Sequence, residues 1–261
     1  MEARHLLLWI AQRFKGYWPD MYDCVKDKIK PDIPNEKIVE NAKNFQEKFV
    51  TILDDEFPQI LKKSTDGTVP FILFYRGDIS LLSSNNPKLA VLGSRKSSKY
   101  GETETSEIVK GLKDNTIIVS GGARGIDTCG IRSALDSNKK VIIVMGTAID
   151  TYYPHQNEEL FNEVVTKGGV IITEYPPQTP ISQENFRWRN RIVASIADVI
   201  MIGESYERSG CSITIGYGLN FGKTICCVPY PAGIDSFCNQ LIKDGATMVE
   251  NSEDVQSLLR N

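Results

Sequence analysis

Three short segments of this 261-residue chain combine glycine with hydroxyl or basic side chains, a composition suited to binding phosphate. Glycine permits a tight turn, and the start of a following helix offers unpaired N–H groups at the positive end of a dipole. We name residues 93–101, 120–127 and 209–214 the first, second and third glycine loops. Their candidate anion-binding residues are Gly93, Ser94, Arg95 and Lys96, then Ser120, Gly121, Gly122, Ala123 and Gly125, then Ser209, Gly210 and Thr214.

A fourth segment, Phe186-Arg-Trp-Arg-Asn-Arg191, joins arginines to aromatic rings that could stack on bases. If a helix begins at Arg187, Arg189 falls on its apolar side, beside Val193. A buried guanidinium needs an anionic partner. That partner is either a ligand phosphate or a protein carboxylate, and the candidate carboxylates are Glu174, Glu204 and Asp127. We expect Phe186, Arg189, Asn190 and Arg191 to face the same ligand as the glycine loops.

The elements that must position these segments alternate between strand and helix from Lys88 onward. Continuously apolar, β-branched runs predict strands at 89–92, 116–119, 141–145, 170–172, 199–202, 224–228 and 247–249. Helical patterns lie around 102–113, 128–137, 157–167, 187–197, 211–221, 235–243 and 252–259. This alternation predicts an α/β fold with an open, doubly wound, mainly parallel sheet. Ligands of such sheets bind beyond the carboxyl ends of the strands, where the glycine loops lie.

The chain before Lys88 has a different pattern. Residues 1–60 suggest a small helical N-terminal module, with one helix beginning near Leu6 and another running from about Asn35 to Leu53. Residues 61–87 suggest a connector with a short strand at 71–75. We expect residues 88–261 to form the sheet domain.

Composition narrows the class of protein. With 41% hydrophobic and 24% charged residues and a net charge of −3, neither a disordered chain nor a wholly basic nucleic-acid coat is expected. No apolar run approaches the ~20 residues of a membrane span, and no signal peptide is evident. The six cysteines form no C-x-x-C pair, and neither histidine lies near a cysteine cluster. We therefore expect a cytoplasmic protein without metal or disulfide.

Catalytic motifs are weak by comparison. No histidine lies beside a serine or cysteine nucleophile in the loops, and G-x-x-x-x-G-K-[ST] is absent. The second glycine loop does not match G-x-G-x-x-G, so a dinucleotide cofactor is not expected. Asp127 is interpreted as the N-cap of the helix that follows it. We assign neither catalytic residues nor a cofactor.

The ordered set of motifs resembles the DNA-processing protein A family, called DprA or Smf. The motifs that carry the resemblance are Gly93–Arg95 with Tyr100-Gly101, Ser120–Asp127, Tyr153-Pro154, Glu174–Pro176, Phe186 with Arg189–Arg191, Ser209–Thr214, Cys238–Ile242 and Gly245-Ala246. The resemblance implies a Rossmann-like domain that binds single-stranded DNA, helps to load the RecA recombinase during natural transformation, forms a homodimer and has no accepted enzymatic activity. It assigns to the DNA-facing pocket Ser94, Arg95, Ser120, Gly121, Ala123, Gly125, Phe186, Arg189, Asn190, Arg191, Ser209, Gly210 and Thr214.

Two other functions remain open from the sequence. One is a nucleotide-binding sensor or a phosphoribohydrolase-like enzyme, because the fold also resembles that of the Lonely Guy family. Those enzymes carry P-G-G-x-G-T-x-x-E, whereas Ser209–Thr214 lacks its glycines and Tyr217 stands where the glutamate would be. The other is a scaffold whose helical module binds a partner.

Overall fold

The computed structural model describes residues 2–64, 67–206 and 210–259, and a nine-stranded sheet forms its centre. The strands are β1 Lys48–Thr51, β2 Ile72–Gly77, β3 Lys88–Gly93, β4 Ile117–Ser120, β5 Val141–Val144, β6 Val170–Thr173, β7 Val199–Glu204, β8 Thr224–Cys227 and β9 Thr247–Met248. Their order across the sheet is β1-β2-β6-β5-β4-β3-β7-β8-β9. The β1–β2 and β2–β6 pairs are antiparallel and the other pairs are parallel. The predicted doubly wound, mainly parallel, Rossmann-like α/β fold is confirmed.

Helices cover both faces of this sheet. They are α1 Ala3–Arg13, α2 Trp18–Lys26, α3 Asn35–Asn44, α4 Gln59–Ser64, α5 Lys99–Gly111, α6 Ile126–Asp136, α7 Glu158–Thr166, α8 Gln183–Ile196, α9 Cys211–Asn220, α10 Phe237–Lys243 and α11 Ser252–Leu258. Side chains of α1, α5, α6, α7 and α11 belong to one hydrophobic core, and side chains of α4, α8, α9 and α10 to the other. Among the residues that the structure describes, no helix is long and apolar enough to cross a bilayer.

From β3 to β8, each continuous apolar run forms a strand whose side chains enter both hydrophobic cores. In β5, Val141 and Ile143 point into the first core, while Ile142 and Val144 point into the second. Successive side chains of a strand face opposite sides of the sheet, so a strand between two helical layers needs apolar residues at every position.

One predicted helix is wrong over half its length. The pattern from Asn35 to Leu53 predicted a single helix, but α3 ends at Asn44 and Lys48–Thr51 is strand β1. The apolar spacing suits both periods, and the β-branched and aromatic residues at 49–51 favour a strand. Because β2 presents a free edge, β1 pairs with it, and Phe49 and Val50 then point into opposite cores.

The N-terminal helices pack on the sheet domain through aromatic rings. The helix predicted near Leu6 is α1, whereas α2 was not predicted. The Trp18 ring stacks on Phe71 and Trp188 with centroid separations of 5.9 and 5.7 Å. Its indole N–H donates to the Val69 carbonyl at 2.7 Å. These contacts hold α2 against α8, the helix that carries the arginine-rich segment.

Candidate functional site

An open pocket of about 900 Å³ lies where the carboxyl ends of the parallel strands meet α8 and the start of α9. Its wall contains residues of the first and second glycine loops, of the start of α9 and of one face of α8. The strand-end rule predicts this position. Of the residues predicted to bind phosphate, the lining contains Gly93, Ser94, Arg95, Lys96, Ala123, Phe186, Arg189, Asn190, Gly210 and Thr214.

The other predicted site residues lie elsewhere. Ser120 is fully buried, and its hydroxyl accepts from the N–H of Gly122 at 3.3 Å. Gly121, Gly122 and Gly125 do not line the pocket, although Gly121 lies against the Arg189 guanidinium and Gly125 against the Ser94 carbonyl. Ser209 lies outside the described residues.

The first and second glycine loops touch each other, and glycine is required where they meet. Gly125 has a φ of +73°, and a Cβ at this position would lie 2.1 Å from the carbonyl oxygen of Ser94. That same oxygen accepts from the N–H of Ile126 at 3.1 Å. The two loops are therefore held in fixed relative positions by backbone contact.

Arg189 is buried at the floor of the pocket, as its position on the apolar side of α8 predicted. The sequence left its partner open between a ligand phosphate and a protein carboxylate. In the structure Arg189 donates to backbone carbonyls, and the candidate Asp127 lies close enough for the two charges to interact. One guanidinium nitrogen donates to the carbonyl of Gly121 at 2.8 Å and to that of Val144, and Nε donates to Oδ1 of Asn190 at 3.2 Å. Burial lowers the pKa of Arg189 to about 10, against the opposing charge of Asp127, so the side chain stays protonated at neutral pH.

The expectation that Arg191 faces the ligand is contradicted by its position. Its side chain is 0% exposed, and its two terminal nitrogens bind the Glu174 carboxylate at 2.6 and 2.7 Å. Nε donates to the carbonyl of Thr68 at 3.0 Å, so the connector covers Arg191. Arg191 is a structural residue beside the pocket.

Asp127 was also placed incorrectly within its helix. Gly125 is the N-cap of α6, and Asp127 lies in the first turn, where its carboxylate accepts from the N–H of Ala123 at 3.2 Å. Burial raises the pKa of Asp127, and the charge of Arg189 together with the hydrogen bonds opposes that rise. Asp127 lines the pocket and places an acidic group at its floor.

A second carboxylate accepts hydrogen bonds at the N-terminus of α5. Glu204, the last residue of β7, accepts from the N–H of Ser98 at 2.9 and 3.1 Å and from its hydroxyl at 2.7 Å. Burial alone would raise the pKa of Glu204, but these bonds and those from Tyr206 and Tyr230 lower it below its ordinary value. The first glycine loop thus contains an anion of the protein itself.

The rim of the pocket is basic and aromatic. Arg95, Lys96 and Arg187 are exposed there. Tyr153, which is 41% exposed, lies 5.4 Å from Phe186 between ring centroids. The sequence analysis did not assign Arg187 or Tyr153 to the site. The position of Arg187 next to Phe186, and that of Tyr153 in the loop after β5, were the signals that could have identified them.

Metal ligands do not cluster anywhere in the described residues. No group of three or more histidine, cysteine or acidic side chains there could hold an ion, and none of the six cysteines forms a disulfide bond. The pocket offers hydrogen-bond donors, cations at its rim and aromatic faces, which suit a polyanion with flat bases.

Comparison with known proteins identifies the family of this chain. Residues 48–260 match the family described as DNA recombination-mediator protein A. The chain belongs to the DprA/Smf family. DprA of Streptococcus pneumoniae is 36% identical over 218 residues, covering 82% of this chain and 75% of that protein. Smf of Escherichia coli is 34% identical over 207 residues, covering 77% of this chain but only 54% of that protein.

Solved DprA structures have the same fold. The crystal structure of DprA from Streptococcus pneumoniae matches with a TM-score of 0.77 and 32% identity, over 86% of this chain and 78% of that one. DprA from Helicobacter pylori, whose structure was described together with its single-stranded DNA binding mode, matches with a TM-score of 0.71 and 26% identity. That match covers 83% of this chain and 97% of the Helicobacter chain.

Proposed function

We propose that this DprA/Smf protein binds single-stranded DNA in the pocket at the strand ends and acts as a recombination mediator. The observation that carries the proposal is the pocket itself, which combines the glycine loops, the exposed cations and the Tyr153–Phe186 ring pair. The single-stranded DNA binding described for the Helicobacter relative supports it. The protein acts in this proposal by binding, without a catalytic step.

In the proposed complex, phosphates lie against Arg95, Lys96 and Arg187 at the rim. Bases stack on Phe186 and Tyr153, whose rings are already close together. Stacking needs bases that are unpaired and free to splay, so a duplex cannot use the aromatic part of the pocket. Arg189 supports the floor electrostatically and fixes the carbonyls of Gly121 and Val144.

The test is binding of fluorescent oligothymidine and of a duplex of equal length, measured by anisotropy at low salt. We expect tighter binding of the single strand and little dependence on its base sequence. Absence of single-strand binding, or equal affinity for the duplex, would contradict the proposal. Incubation with nucleoside monophosphates tests the enzymatic alternative, since released base would favour a phosphoribohydrolase.

We further propose that the protein helps RecA to load onto DNA during natural transformation and that it works as a homodimer. Membership of the DprA/Smf family, which the sequence resemblance associates with both properties, supports the two proposals. RecA-dependent ATP hydrolysis on single strands covered by single-strand binding protein should rise when this chain is added. Analytical ultracentrifugation should give a mass of twice 29.2 kDa. A monomer at all concentrations, or no effect on RecA, would remove the corresponding part.

A further inference from the structure

A cluster of stacked aromatic rings lies outside the strand-end pocket, where α2 packs on α8. The Trp18 ring stacks on the Trp188 ring and also on the Tyr22 ring, the latter with a centroid separation of 5.0 Å and an interplanar angle of 19°. We name Trp18, Tyr22 and Trp188 the ring cluster. The two tryptophans are half-buried by this packing, whereas Tyr22 is 41% exposed.

A cation accompanies the exposed ring. The Lys26 ammonium, one helical turn further along α2, lies over the Tyr22 ring at 6.0 Å from its centroid. Because Lys26 is itself exposed, the ring face that it approaches is open to solvent. A lysine is held only weakly over an exposed ring. An entering base can therefore displace the ammonium and stack on Tyr22.

Helix α8 connects the ring cluster to the pocket. Successive residues of an α-helix are about 100° apart, so Arg187 lies between Phe186 on one side and Trp188 on the other. Phe186 and Arg187 line the pocket, while Trp188 stacks on Trp18 of α2. Arg187 is exposed between them. A strand that leaves the pocket past Arg187 meets the ring cluster next.

The charges near the ring cluster are mixed. Asp23 on α2 and Glu184 on α8 are exposed and offset the positive charges of Lys26 and Arg187. The cluster is therefore poorly suited to holding a phosphate, and what it offers a strand is stacking. Stacking on an aromatic ring accepts any base and releases no counterions.

We propose that a base of the single strand that occupies the pocket stacks on Tyr22, outside the pocket, so that the N-terminal module extends the DNA site. The inference rests on the proposed DNA-binding function. The family model matches this chain only from residue 48, so this contact is supplied by the preceding helices. Only strands long enough to pass Arg187 can make it.

Length dependence tests the inference. Wild type, Tyr22→Ala, Tyr22→Phe and Val25→Ala are compared by fluorescence anisotropy with oligothymidines of roughly 6 and about 20 nucleotides. Val25 is the matched control, since it is 40% exposed on the same helix and carries no ring. Tyr22→Ala should weaken binding of the long strand at least about fivefold, the effect of losing one stacked base, and leave binding of the short strand unchanged. Tyr22→Phe and Val25→Ala should bind both strands as wild type does.

Salt dependence separates stacking from a charge effect. For the long strand, the logarithm of the association constant of Tyr22→Ala should fall with the logarithm of salt concentration in parallel with wild type, because no phosphate contact is lost. A slope reduced by about 0.7 would indicate a lost phosphate contact and overturn the stacking role.

Several other outcomes would overturn the inference. They are a Tyr22→Ala variant that binds the long strand as tightly as wild type, an equal loss for both lengths, and the same loss in Val25→Ala. A change in sedimentation mass without a change in DNA binding would assign the ring cluster to contact between copies of the chain. If Tyr22→Ala fails to fold, Tyr22→Leu replaces it with the same expectation, because leucine keeps apolar bulk and lacks a ring. A wild type that binds neither strand would instead remove the proposed function itself.

Discussion

At the residue scale, two arginines only two positions apart have different tasks. Arg189 reaches the pocket floor and holds strand-end carbonyls, whereas Arg191 is paired with Glu174 away from the pocket. The sequence could predict a buried guanidinium on α8, because helical periodicity places residue 189 beside Val193. It could not predict that the connector covers Arg191, because that contact joins Thr68 to a residue far along the chain.

Arg191 should therefore matter for stability rather than for DNA contact. We expect Arg191→Ala to lower the free energy of unfolding by about 3–5 kcal/mol, because it leaves the Glu174 carboxylate buried without its partner. Chemical denaturation checks the value. The matched control is Arg132→Ala on the exposed side of α6, which should change stability by less than about 0.5 kcal/mol. A stable Arg191→Ala variant with weakened DNA binding would contradict this assignment.

Glu204 should give the protein a pH-dependent contribution to stability. Its pKa is lowered in the folded state, so the contribution is complete above the unfolded pKa of about 4.3 and disappears as pH falls through the folded value. We expect Glu204→Gln to be less stable than wild type by about 1–3 kcal/mol at pH 7, with the difference shrinking below about pH 4.3. Denaturant unfolding from pH 7 to pH 3.5 measures this. A difference that stays constant with pH would show that the carboxylate charge is not responsible.

At the element scale, most strands could be predicted, including the edge strand β9, and the edge strand β1 could not. Buried parallel strands leave continuous apolar runs, so β3 to β8 are evident from residue types. Strand β1 is short and pairs antiparallel at the sheet edge, and its apolar spacing also fits the end of α3. Pairing with β2 decides whether residues 48–51 form a strand or continue the helix, and the local sequence does not show that pairing.

The contact between the first two glycine loops predicts unequal effects of adding one methyl group. Gly125→Ala should destabilise the protein by about 1–3 kcal/mol, because φ is +73° and the Cβ would meet the Ser94 carbonyl. Gly210→Ala is the matched control, since its backbone is right-handed helical and its Cβ would meet nothing within 4 Å. Denaturant midpoints of the two variants give the comparison. Equal effects would contradict the inferred loop contact.

At the scale of the whole molecule, an acidic protein presents a basic rim. The net charge is −3, yet Arg95, Lys96 and Arg187 lie together at one pocket. The strand-end rule predicted the positions of Arg95 and Lys96 from sequence, because parallel strands place their following loops at one edge, whereas Arg187 of α8 was not predicted. It did not predict that carboxylates occupy the first and second glycine loops. Glu204 reaches Ser98 only because β3 and β7 are neighbours in the sheet, and local sequence does not show that pairing.

The salt dependence of single-strand binding tests the central claim most directly. Arg95 is the better probe because Arg189 also holds backbone carbonyls. We expect the logarithm of the oligothymidine association constant to fall steeply with the logarithm of salt concentration. Arg95→Ala should bind more weakly and reduce the slope by about 0.7, the value for one lost phosphate contact on a single strand, while Arg132→Ala keeps the wild-type slope. Identical slopes and affinities for Arg95→Ala and wild type would contradict phosphate binding at this pocket.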